Sequence, residues 1–430
     1  MLPSNNKIAL VDNMNNNFFA FARYLRDEGV NAHLYKVSNR KIPHFEPEAD
    51  TFVDISNEKW IHNFPLEVNN KGWLFFSKRK VYNEFKNYKI IISCGLCNAF
   101  LLRGGVKVDI IMPYGSDLYD LPFRNVKLSF SLDFIRSFLW YHQGKYQRES
   151  FLKASLVIAN PNYNLYREPL NKLELQICNF GIPMVYNKEN LENDKNMKLW
   201  GFIKNHDFIV FNHSRQYWRS NIKEDNISEF DKYGGLKRND KLIKAFARFI
   251  KVTRLKSPIL VLFEYGIDVE SSKQLITELG INKYVKWMPT LPRKYILYGL
   301  SKATFSANAF RENIVDIGGV CYESMAVGTT LINNCIEVIK DKKYKFYNAP
   351  IVHALSEDDI LNIFIDYEKN PKKYKEIGKK SKEWFDKHLG IGLAKKYVKL
   401  IELLTKDKTL TCKDERVKKI FKNNEQQKEE

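Results

Sequence analysis

Short apolar runs alternate along the chain with longer segments whose apolar residues recur at helical spacing. Lys7–Val11 is an apolar run that predicts a strand, and Asp12–Asn17 after it is a polar loop. Phe18–Glu28 then has the periodicity of a helix that Gly29 ends, and Ala32–Val37 is a second strand. Strand, helix and strand in this order predict a parallel sheet that binds its ligand beyond the carboxyl ends of the strands.

The same alternation continues in two blocks, which are separated at 187–198 by a run rich in Lys, Asn and Glu with the composition of a linker. In the first block, further strands are predicted at Ile90–Ser93, Val108–Met112 and Ser155–Ala159. In the second block, strands are predicted at Phe208–Phe211, Pro258–Glu264 and Val285–Met288, and helices at Lys241–Val252, Val269–Leu279 and Lys294–Ser301. We therefore expect an α/β protein with two doubly wound, Rossmann-like domains, 1–188 and 189–388, that face each other across a cleft.

Composition places the chain among globular proteins. Its 430 residues, 44% of them apolar, suffice for about two to three domains with full cores. No stretch approaches the roughly 18 to 20 apolar residues that span a bilayer, and the first residues, Met1–Lys7, lack the apolar core of a signal peptide. A soluble, cytoplasmic protein is expected.

The six cysteines are irregularly spaced, which is not the pattern of a disulfide framework. Cys94 and Cys97 form a CxxC pair, but no second pair or nearby histidine completes a zinc site. We therefore expect buried structural thiols at these two positions, with a redox or metal role as the alternative. No cofactor is expected.

The formal net charge of +19 points to an anionic partner. Nucleic acid, an anionic membrane and phosphorylated substrates are all compatible with it. The lysines are scattered through the predicted helices, and no nucleic-acid-binding signature accompanies them, so nucleic acid is not expected as a partner.

One segment, Ile317–Ile332, has the features of an anion site. Gly318 and Gly319 allow a close approach of the backbone, a short apolar helix follows, and Gly328 is placed to end it. The first N–H groups of such a helix have no partner within it and lie at the positive end of its dipole, so they favour a phosphate. Glu323 would then accept from hydroxyl groups of the ligand. The alternative is an ordinary connection in a parallel sheet.

The sequence ESMAVGTTLI at 323–332 resembles the EAMACGxPVI signature of the retaining group-1 (family 4-like) glycosyltransferases, which have the GT-B fold. The resemblance implies a second domain that binds a nucleotide-diphosphate sugar without a metal. It also implies a last helix, at 389–405, that crosses back to the first domain. Residues 406–430 are rich in charge, and we expect them to be disordered.

The resemblance implies roles for several residues of the second domain. Arg215 in FNHSRQYW and Lys237 in GGLKRNDK match the two cations that bind the donor diphosphate in this family, with a solvated surface charge as the alternative for each. Such cations stabilise the charge that develops on the leaving diphosphate. Gly318 and Gly319 match the family's glycine loop, and Glu323 matches the glutamate that binds the ribose.

Two further matches concern the nucleoside. Glu264 in EYG occupies the place of the family's glycine turn after the central strand. Met288 lies in KWMP, which matches the segment whose backbone reads the base. Both residues could equally belong to ordinary strand ends.

Two positions depart from the family. Eight residues before Glu323, where the family has a further glutamate that contacts the donor sugar, this chain has Val315. Asp316 and Glu312 lie nearby, and Asp316 is the candidate for a catalytic role. In the first domain, MPYGSDL resembles the family's HGxD turn, with Tyr114 at the place of the histidine.

Tyr114 and Asp117 of this turn are the catalytic candidates of the first domain. Asp117 is expected to orient the acceptor or the donor sugar, with a turn-forming role as the alternative. A tyrosine with an unperturbed pKa near 10 is a poor base at neutral pH. The front-face mechanism proposed for the family tolerates this, because the departing phosphate itself takes the acceptor proton.

A further segment of the first domain has apolar residues at helical spacing between arginines and lysines. They are Phe130, Phe134, Ile135, Phe138 and Leu139. A basic amphipathic helix of this kind can lie on the anionic inner face of the cell membrane, where lipid-linked acceptors reside. The alternative is a helix that packs into the core and has charged flanks.

These patterns, with the resemblance, predict a metal-independent, retaining glycosyltransferase. It would move a sugar from a nucleotide-diphosphate sugar to a saccharide or lipid-linked acceptor, in the synthesis of lipopolysaccharide, capsule or another cell-surface glycoconjugate. Three alternatives are open: a nucleotide-sugar epimerase of the same fold, a catalytically weakened sugar- or anion-binding module, and a basic nucleic-acid-binding protein.

Overall fold

The computed structural model describes residues 6–37, 45–126, 132–161, 163–219, 236–311, 317–342, 344 and 346–421. The chain divides into two compact units. Unit 1 consists of Met1–Tyr186 and Leu389–Glu430, and unit 2 of Asn187–His388. Each unit contains one parallel sheet with helices packed on it, which confirms the prediction of two Rossmann-like domains.

In the described part of unit 1, seven parallel strands lie in the order β3-β2-β1-β4-β5-β6-β7. They are β1 (Lys7–Val11), β2 (Asn31–Lys36), β3 (Ile61–Asn63), β4 (Ile90–Ser93), β5 (Ile110–Ile111), β6 (Leu156–Ile158) and β7 (Ile177–Cys178). The helices between them are α1 (Asn17–Asp27), α2 (Asn70–Leu74), α3 (Lys78–Phe85), α4 (Cys97–Arg103), α5 (Ser116–Tyr119), α6 (Leu132–Lys153) and α7 (Asn164–Lys172).

β1 lies at the centre of this sheet because its side chains are apolar on both faces. Ile8 and Leu10 are buried in the core on one side of the sheet, and Ala9 and Val11 in the core on the other side. β1 pairs in parallel with β2 along one edge and with β4 along the other. The loops that follow β1, β4 and β5 therefore meet at one edge of the sheet.

Unit 2 has six parallel strands among its described residues, in the order β10-β9-β8-β11-β12-β13. They are β8 (Phe208–Asn212), β9 (Pro258–Phe263), β10 (Val285–Met288), β11 (Phe305–Ala307), β12 (Thr330–Asn333) and β13 (Val352–His353). The helices are α8 (Asp194–Leu199), α9 (Asn239–Val252), α10 (Val269–Glu278), α11 (Arg293–Ser301), α12 (Gly319–Val327), α13 (Ile336–Lys340), α14 (Glu357–Lys369) and α15 (Pro371–His388).

β8 has the same two-sided burial as β1. Phe208 and Val210 lie in one core with the apolar face of α9, while Ile209 and Phe211 lie in the core on the opposite side of the sheet. This strand is therefore central to unit 2, and the loop after it lies in the middle of the sheet's carboxyl edge.

The chain returns to unit 1 with α16 (Ile391–Lys406) and α17 (Glu415–Phe421). Leu393, Tyr397 and Leu400 of α16 are buried in the core that also contains Phe21 of α1. The rings of Tyr397 and Phe21 lie with their centroids 4.8 Å apart. This helix therefore completes the core of unit 1.

The segment after α16 corrects two expectations. Leu410 and Val417 are buried, and Cys412 forms a disulfide with Cys178, with 5.4 Å between the Cα atoms. These anchors order residues 406–421, where we expected disorder; residues 422–430 lie outside the described part of the chain. The irregular spacing of the cysteines predicted no disulfide framework, and this one disulfide departs from that expectation. The other four are buried thiols: Cys94, Cys97, Cys321 and Cys335.

α6 contains the predicted amphipathic segment, except that Phe130 lies outside the described residues. Phe134, Ile135 and Phe138 are exposed, so the alternative of a core-facing helix is wrong for these side chains, while Leu139 is partly buried. No helix in the described part of the chain is long and apolar enough to span a bilayer.

Candidate functional site

The order of strands in unit 2 changes direction between β8 and β11, and ligands of open parallel sheets bind beyond the carboxyl ends of the strands at such a point. Buried amides fix the chain there. Asn308 Nδ2 donates to Asn333 Oδ1 over 3.0 Å, and Asn212 Nδ2 donates to the carbonyl of Ala307 over 2.8 Å. These bonds hold the loops after β8, β11 and β12 in fixed positions.

Three cationic residues come together at this edge: Arg215 after β8, Lys237 before α9 and Arg311 after β11. The N–H of Phe310 donates to the carbonyl of Lys237 over 3.0 Å, which joins the loop after β11 to the segment before α9. Desolvation, and then the charges of Arg311 and Arg215, lower the pKa of the Lys237 ammonium to about 8, while Cys321 opposes the shift. Both guanidinium groups therefore lie within electrostatic range of the Lys237 ammonium.

Cations so close together repel one another, and a bound anion of high charge relieves the repulsion. The structure brings together Arg215 and Lys237, as the sequence predicted, and adds Arg311, which it did not. No motif marks Arg311. Its place at the site depends on β11 lying next to β8, which is a property of the strand order.

α12 begins beside these cations. Gly318 is its N-cap residue, and among the described residues no side chain caps the helix. A side-chain carbon added at Gly318 or Gly319 would meet no described atom within 4 Å, so the backbone is open to a ligand. Asn308 Nδ2 lies 3.1 Å from Cys321 Sγ, which places the first turn of α12 next to the loop after β11. Gly328 ends the helix with φ of 81°, as predicted.

Glu323 of α12 is held by two side chains that the sequence analysis did not select. Its Oε2 lies 2.7 Å from His213 Nε2, and its Oε1 accepts from Arg293 Nε over 2.7 Å. Burial raises the pKa of Glu323, but the hydrogen bond from His213 and the charge of Arg293 outweigh it and bring the pKa to about 2. The carboxylate is thus ionised and oriented by the protein. Its contact with a ribose remains a prediction.

His213 follows β8 directly and stands two residues before Arg215, so its position after a central strand was a signal in the sequence. Arg293 opens α11, and nothing in its local sequence marks it. Both side chains reach Glu323 because β8, α11 and α12 converge at one edge of the sheet.

Glu264 and Met288, the two residues predicted to contact the nucleoside, lie next to each other on neighbouring strand ends. Glu264 is exposed, and its carboxylate pairs with Lys273 Nζ over 3.0 Å. Met288 has a buried side chain, and its carbonyl accepts from the N–H of Glu264 over 2.9 Å. Met288 therefore has a place in the core and the sheet, and the contact of either residue with a nucleoside stays a prediction. The turn that contains Gly266 packs against the backbone of Gln216. A Cβ added at Gly266 would lie 2.4 Å from the carbonyl oxygen of Gln216.

In unit 1, Asp117 binds backbone groups. Its carboxylate accepts from the N–H groups of Gly95 (2.8 Å), Gly115 (2.8 Å) and Tyr114 (2.9 Å). Burial raises the pKa of Asp117, and these bonds oppose the shift. Asp117 therefore ties the loop after β4 to the loop after β5, which favours the turn-forming alternative over direct contact with a sugar.

Tyr114 accepts a hydrogen bond at its hydroxyl from Asn15 Nδ2, in the polar loop that follows β1. Asp12, Asn15 and Asn16 of that loop all have left-handed backbone conformations, with φ of 77°, 50° and 58°. Three such non-glycine residues in one loop are a strained arrangement of the kind that clusters at functional sites. Tyr114 and this loop are the candidate site of unit 1. Asp316, the remaining catalytic candidate, lies outside the described residues.

No protein-family model matches the sequence, and no curated protein matches it. Solved structures match nearly the whole chain. HepE from Anabaena, solved with UDP-glucose, matches with a TM-score of 0.53 and 14% identity over 93% of this chain and 100% of that one. Sucrose-phosphate synthase from Thermosynechococcus elongatus matches with a TM-score of 0.54 and 12% identity over 93% of this chain and 99% of that one. The chain has the GT-B fold.

A glycosyltransferase from Rickettsia africae matches with a TM-score of 0.50 and 12% identity, over 94% of this chain and 99% of that one. At these identities the similarity establishes the GT-B fold alone. It confirms the fold class that the family signature implied.

Proposed function

We propose that the chain is a glycosyltransferase whose unit 2 binds the nucleoside diphosphate of a sugar donor. The observation that carries the proposal is the convergence of Arg215, Lys237 and Arg311 at the N-terminus of α12. A diphosphate has the charge and the number of acceptor oxygens that three cations and a helix N-terminus can satisfy together. The structures of HepE with UDP and with UDP-glucose support a nucleotide sugar as the ligand.

In the proposed reaction, the bond between the anomeric carbon and the diphosphate oxygen breaks, and an oxygen of the acceptor forms a bond to the same carbon. Negative charge grows on the diphosphate as it leaves, so cations fixed in advance stabilise the transition state more than the bound donor. The three cations supply this positive charge, and the proposal therefore includes no metal and no other cofactor.

The finer features of the proposal rest on the ESMAVGTTLI signature. They are retention of configuration, an acceptor that is a saccharide or a lipid-linked saccharide, and a cytoplasmic role in making cell-surface polysaccharide or glycoconjugate. In a front-face reaction the leaving phosphate takes the acceptor proton, so unit 1 need not supply a base. Tyr114 and Asn15 would then orient the acceptor by hydrogen bonding.

The test is calorimetric titration with UDP, GDP, ADP, CMP and UDP-glucose in the presence of EDTA. One nucleoside diphosphate should bind, and Arg215→Ala, Lys237→Met and Arg311→Ala should each weaken it by about 10- to 100-fold. The matched control is Arg248→Ala, because Arg248 lies on α9 and pairs at the surface with Asp358 over 2.7 Å. That variant should bind as the wild type does.

Absence of binding by every nucleotide would contradict the proposal, as would equal losses in Arg248→Ala and Arg311→Ala. Turnover separates the remaining alternatives once a donor is known. A transferase consumes the sugar nucleotide at a rate that depends on added acceptor, an epimerase converts it without one, and a binding module leaves it unchanged.

A further inference from the structure

The first half of α6 presents large apolar side chains to solvent. Phe134 is 39% exposed, Ile135 54% and Phe138 52%. The opposite side of the helix is covered by the protein, since Ser137 and Gln147 are buried. Burying apolar area is the main favourable contribution to folding, so three such side chains left in water on one helix are a feature to be explained.

α2 packs beside α6 and also presents large apolar side chains to solvent. It is hydrogen-bonded to α6 at two points: Gln143 Nε2 donates to Asn70 Oδ1 over 3.1 Å, and Trp73 Nε1 donates to His142 Nδ1 over 3.1 Å. At the end of α2, Leu74 is 58% exposed and Phe75 77%. We call the five side chains Leu74, Phe75, Phe134, Ile135 and Phe138 the apolar face.

Positive charge predominates on and beside the helices that bear the apolar face. On α2 and Glu67 before it, on α3, and on α6 up to residue 145, six exposed cations stand against three exposed carboxylates, Glu67, Asp133 and Glu84. The cations are Lys71, Lys78, Arg79, Lys80, Arg136 and Lys145. Three of them open α3, which begins only three residues after Phe75.

The charge decides between occupants of this surface. A second copy of the chain would bring two sets of like charges together, which costs free energy on both sides of the interface. An anionic lipid surface gains from every cation, and its boundary between headgroups and acyl chains accepts Phe, Leu and Ile side chains. The combination of aromatic and aliphatic side chains with flanking Lys and Arg is the composition of a helix that lies in a membrane interface.

We propose that the apolar face binds the surface of an anionic phospholipid membrane, with Phe75, Ile135 and Phe138 inserted and the cations of α2, α3 and α6 on the headgroups. This attachment requires no spanning helix. It places unit 1 at a lipid surface whatever reaction the chain performs, and its test is independent of donor binding.

The experiment is co-sedimentation of the full-length protein with phosphatidylcholine vesicles, with and without phosphatidylglycerol. The wild type should pellet only with the vesicles that contain phosphatidylglycerol. Added NaCl should reduce the bound fraction because it screens the charges. The triple variant Phe75→Ser, Ile135→Ser, Phe138→Ser should lose at least about 10-fold in partition, as the removal of three inserted side chains requires. A triple variant Lys78→Glu, Arg79→Glu, Lys80→Glu should lose binding at low salt.

Val252→Ser is the matched control, because Val252 is 60% exposed on α9 in unit 2 and lies outside the apolar face. All variants change exposed side chains, so melting temperatures and nucleotide affinities should equal those of the wild type. Equal partition to neutral and anionic vesicles, or unchanged binding by the apolar-face variant, would overturn the proposal. A wild-type dimer in size-exclusion chromatography that is absent in the apolar-face variant would also overturn the proposal. The apolar face would then bind a second copy of the chain.

Discussion

His213 and Glu323 form a hydrogen bond in the interior of unit 2, with 2.7 Å between Nε2 and Oε2. The side chains are 2% and 11% exposed, and Arg293 binds the second carboxylate oxygen. Removing one member of such a buried network costs stability. The charged side chain that remains loses its partner and is not rehydrated. This network joins three elements at the candidate donor site.

Removing the charge of Glu323 should therefore destabilise the protein. We expect Glu323→Gln to lower the free energy of unfolding by about 3 kcal/mol, since it leaves the largely buried Arg293 beside a neutral amide. Urea denaturation at neutral pH measures the change. Glu264→Gln is the control, because the Glu264–Lys273 pair is exposed and should contribute little. Equal effects of the two substitutions would show that the buried network is not special.

Glu323 also makes stability depend on pH. Its pKa is about 2 in the folded protein against an ordinary value of 4.5, so the unfolded chain binds the proton more readily. The contribution is fully present above about pH 4.5 and is lost as the pH falls towards 2. Unfolding free energies measured across this range should decline in the wild type and be flatter in Glu323→Gln.

A second acid-sensitive group lies in unit 1, in a separate pH window. His33 Nδ1 is 2.8 Å from His62 Nε2, and burial, followed by the charges of His62 and Lys7, lowers the pKa of His33 to about 4. Because the unfolded chain takes up this proton from about pH 6.5 downwards, stability should fall between about pH 6.5 and 4. His33→Gln should reduce that slope, and part of it should remain because burial also lowers the pKa of His62, His142 and His353. An unchanged slope in the variant would assign the window to those histidines.

Binding of the proposed donor should also depend on pH. Lys237 has a pKa of about 8, and only its protonated form attracts a diphosphate. The affinity for the nucleoside diphosphate should therefore decline as the pH rises through about 8, although the bound anion will itself shift the midpoint upwards. Lys237→Arg should keep the affinity over this range, since arginine stays charged. Identical pH profiles for the two proteins would remove Lys237 from the site.

Asp117 offers a test of its structural role. Asp117→Asn keeps the shape but weakens three hydrogen bonds to backbone N–H groups, so we expect about 2 kcal/mol of lost stability with unchanged nucleotide affinity. Urea denaturation and calorimetry measure the two quantities. A variant with wild-type stability and no transfer activity would instead place Asp117 in contact with a substrate.

Elements whose burial is decided locally could be predicted from the sequence. The run Phe208–Phe211 predicts a strand because apolar side chains on both faces suit a central parallel strand, and the structure has it as Phe208–Asn212. Gly328 ends α12 because a left-handed residue is required there. The strand predicted at Val108–Met112 is shorter in the structure, Ile110–Ile111, although the N–H groups of Asp109 and Met112 also donate to carbonyls of β4.

Features that depend on distant parts of the chain could not be predicted in this way. Arg311 acquires its place from the order of strands, and the segment after α16 is anchored through Cys412 to a residue 234 positions earlier. Asp117 shows a different limit, because the same carboxylate in the same turn can bind either a substrate or backbone N–H groups. Only the geometry distinguishes the two.

The disulfide between Cys178 and Cys412 closes a loop of covalent chain that contains all of unit 2, Asn187–His388. A single proteolytic cut within unit 2 therefore leaves two fragments that migrate together on a gel until a reductant separates them. While the disulfide is intact, a force applied between a residue before 178 and one after 412 passes through the disulfide and not through unit 2. A pulling experiment would therefore extend unit 2 only after the disulfide is reduced.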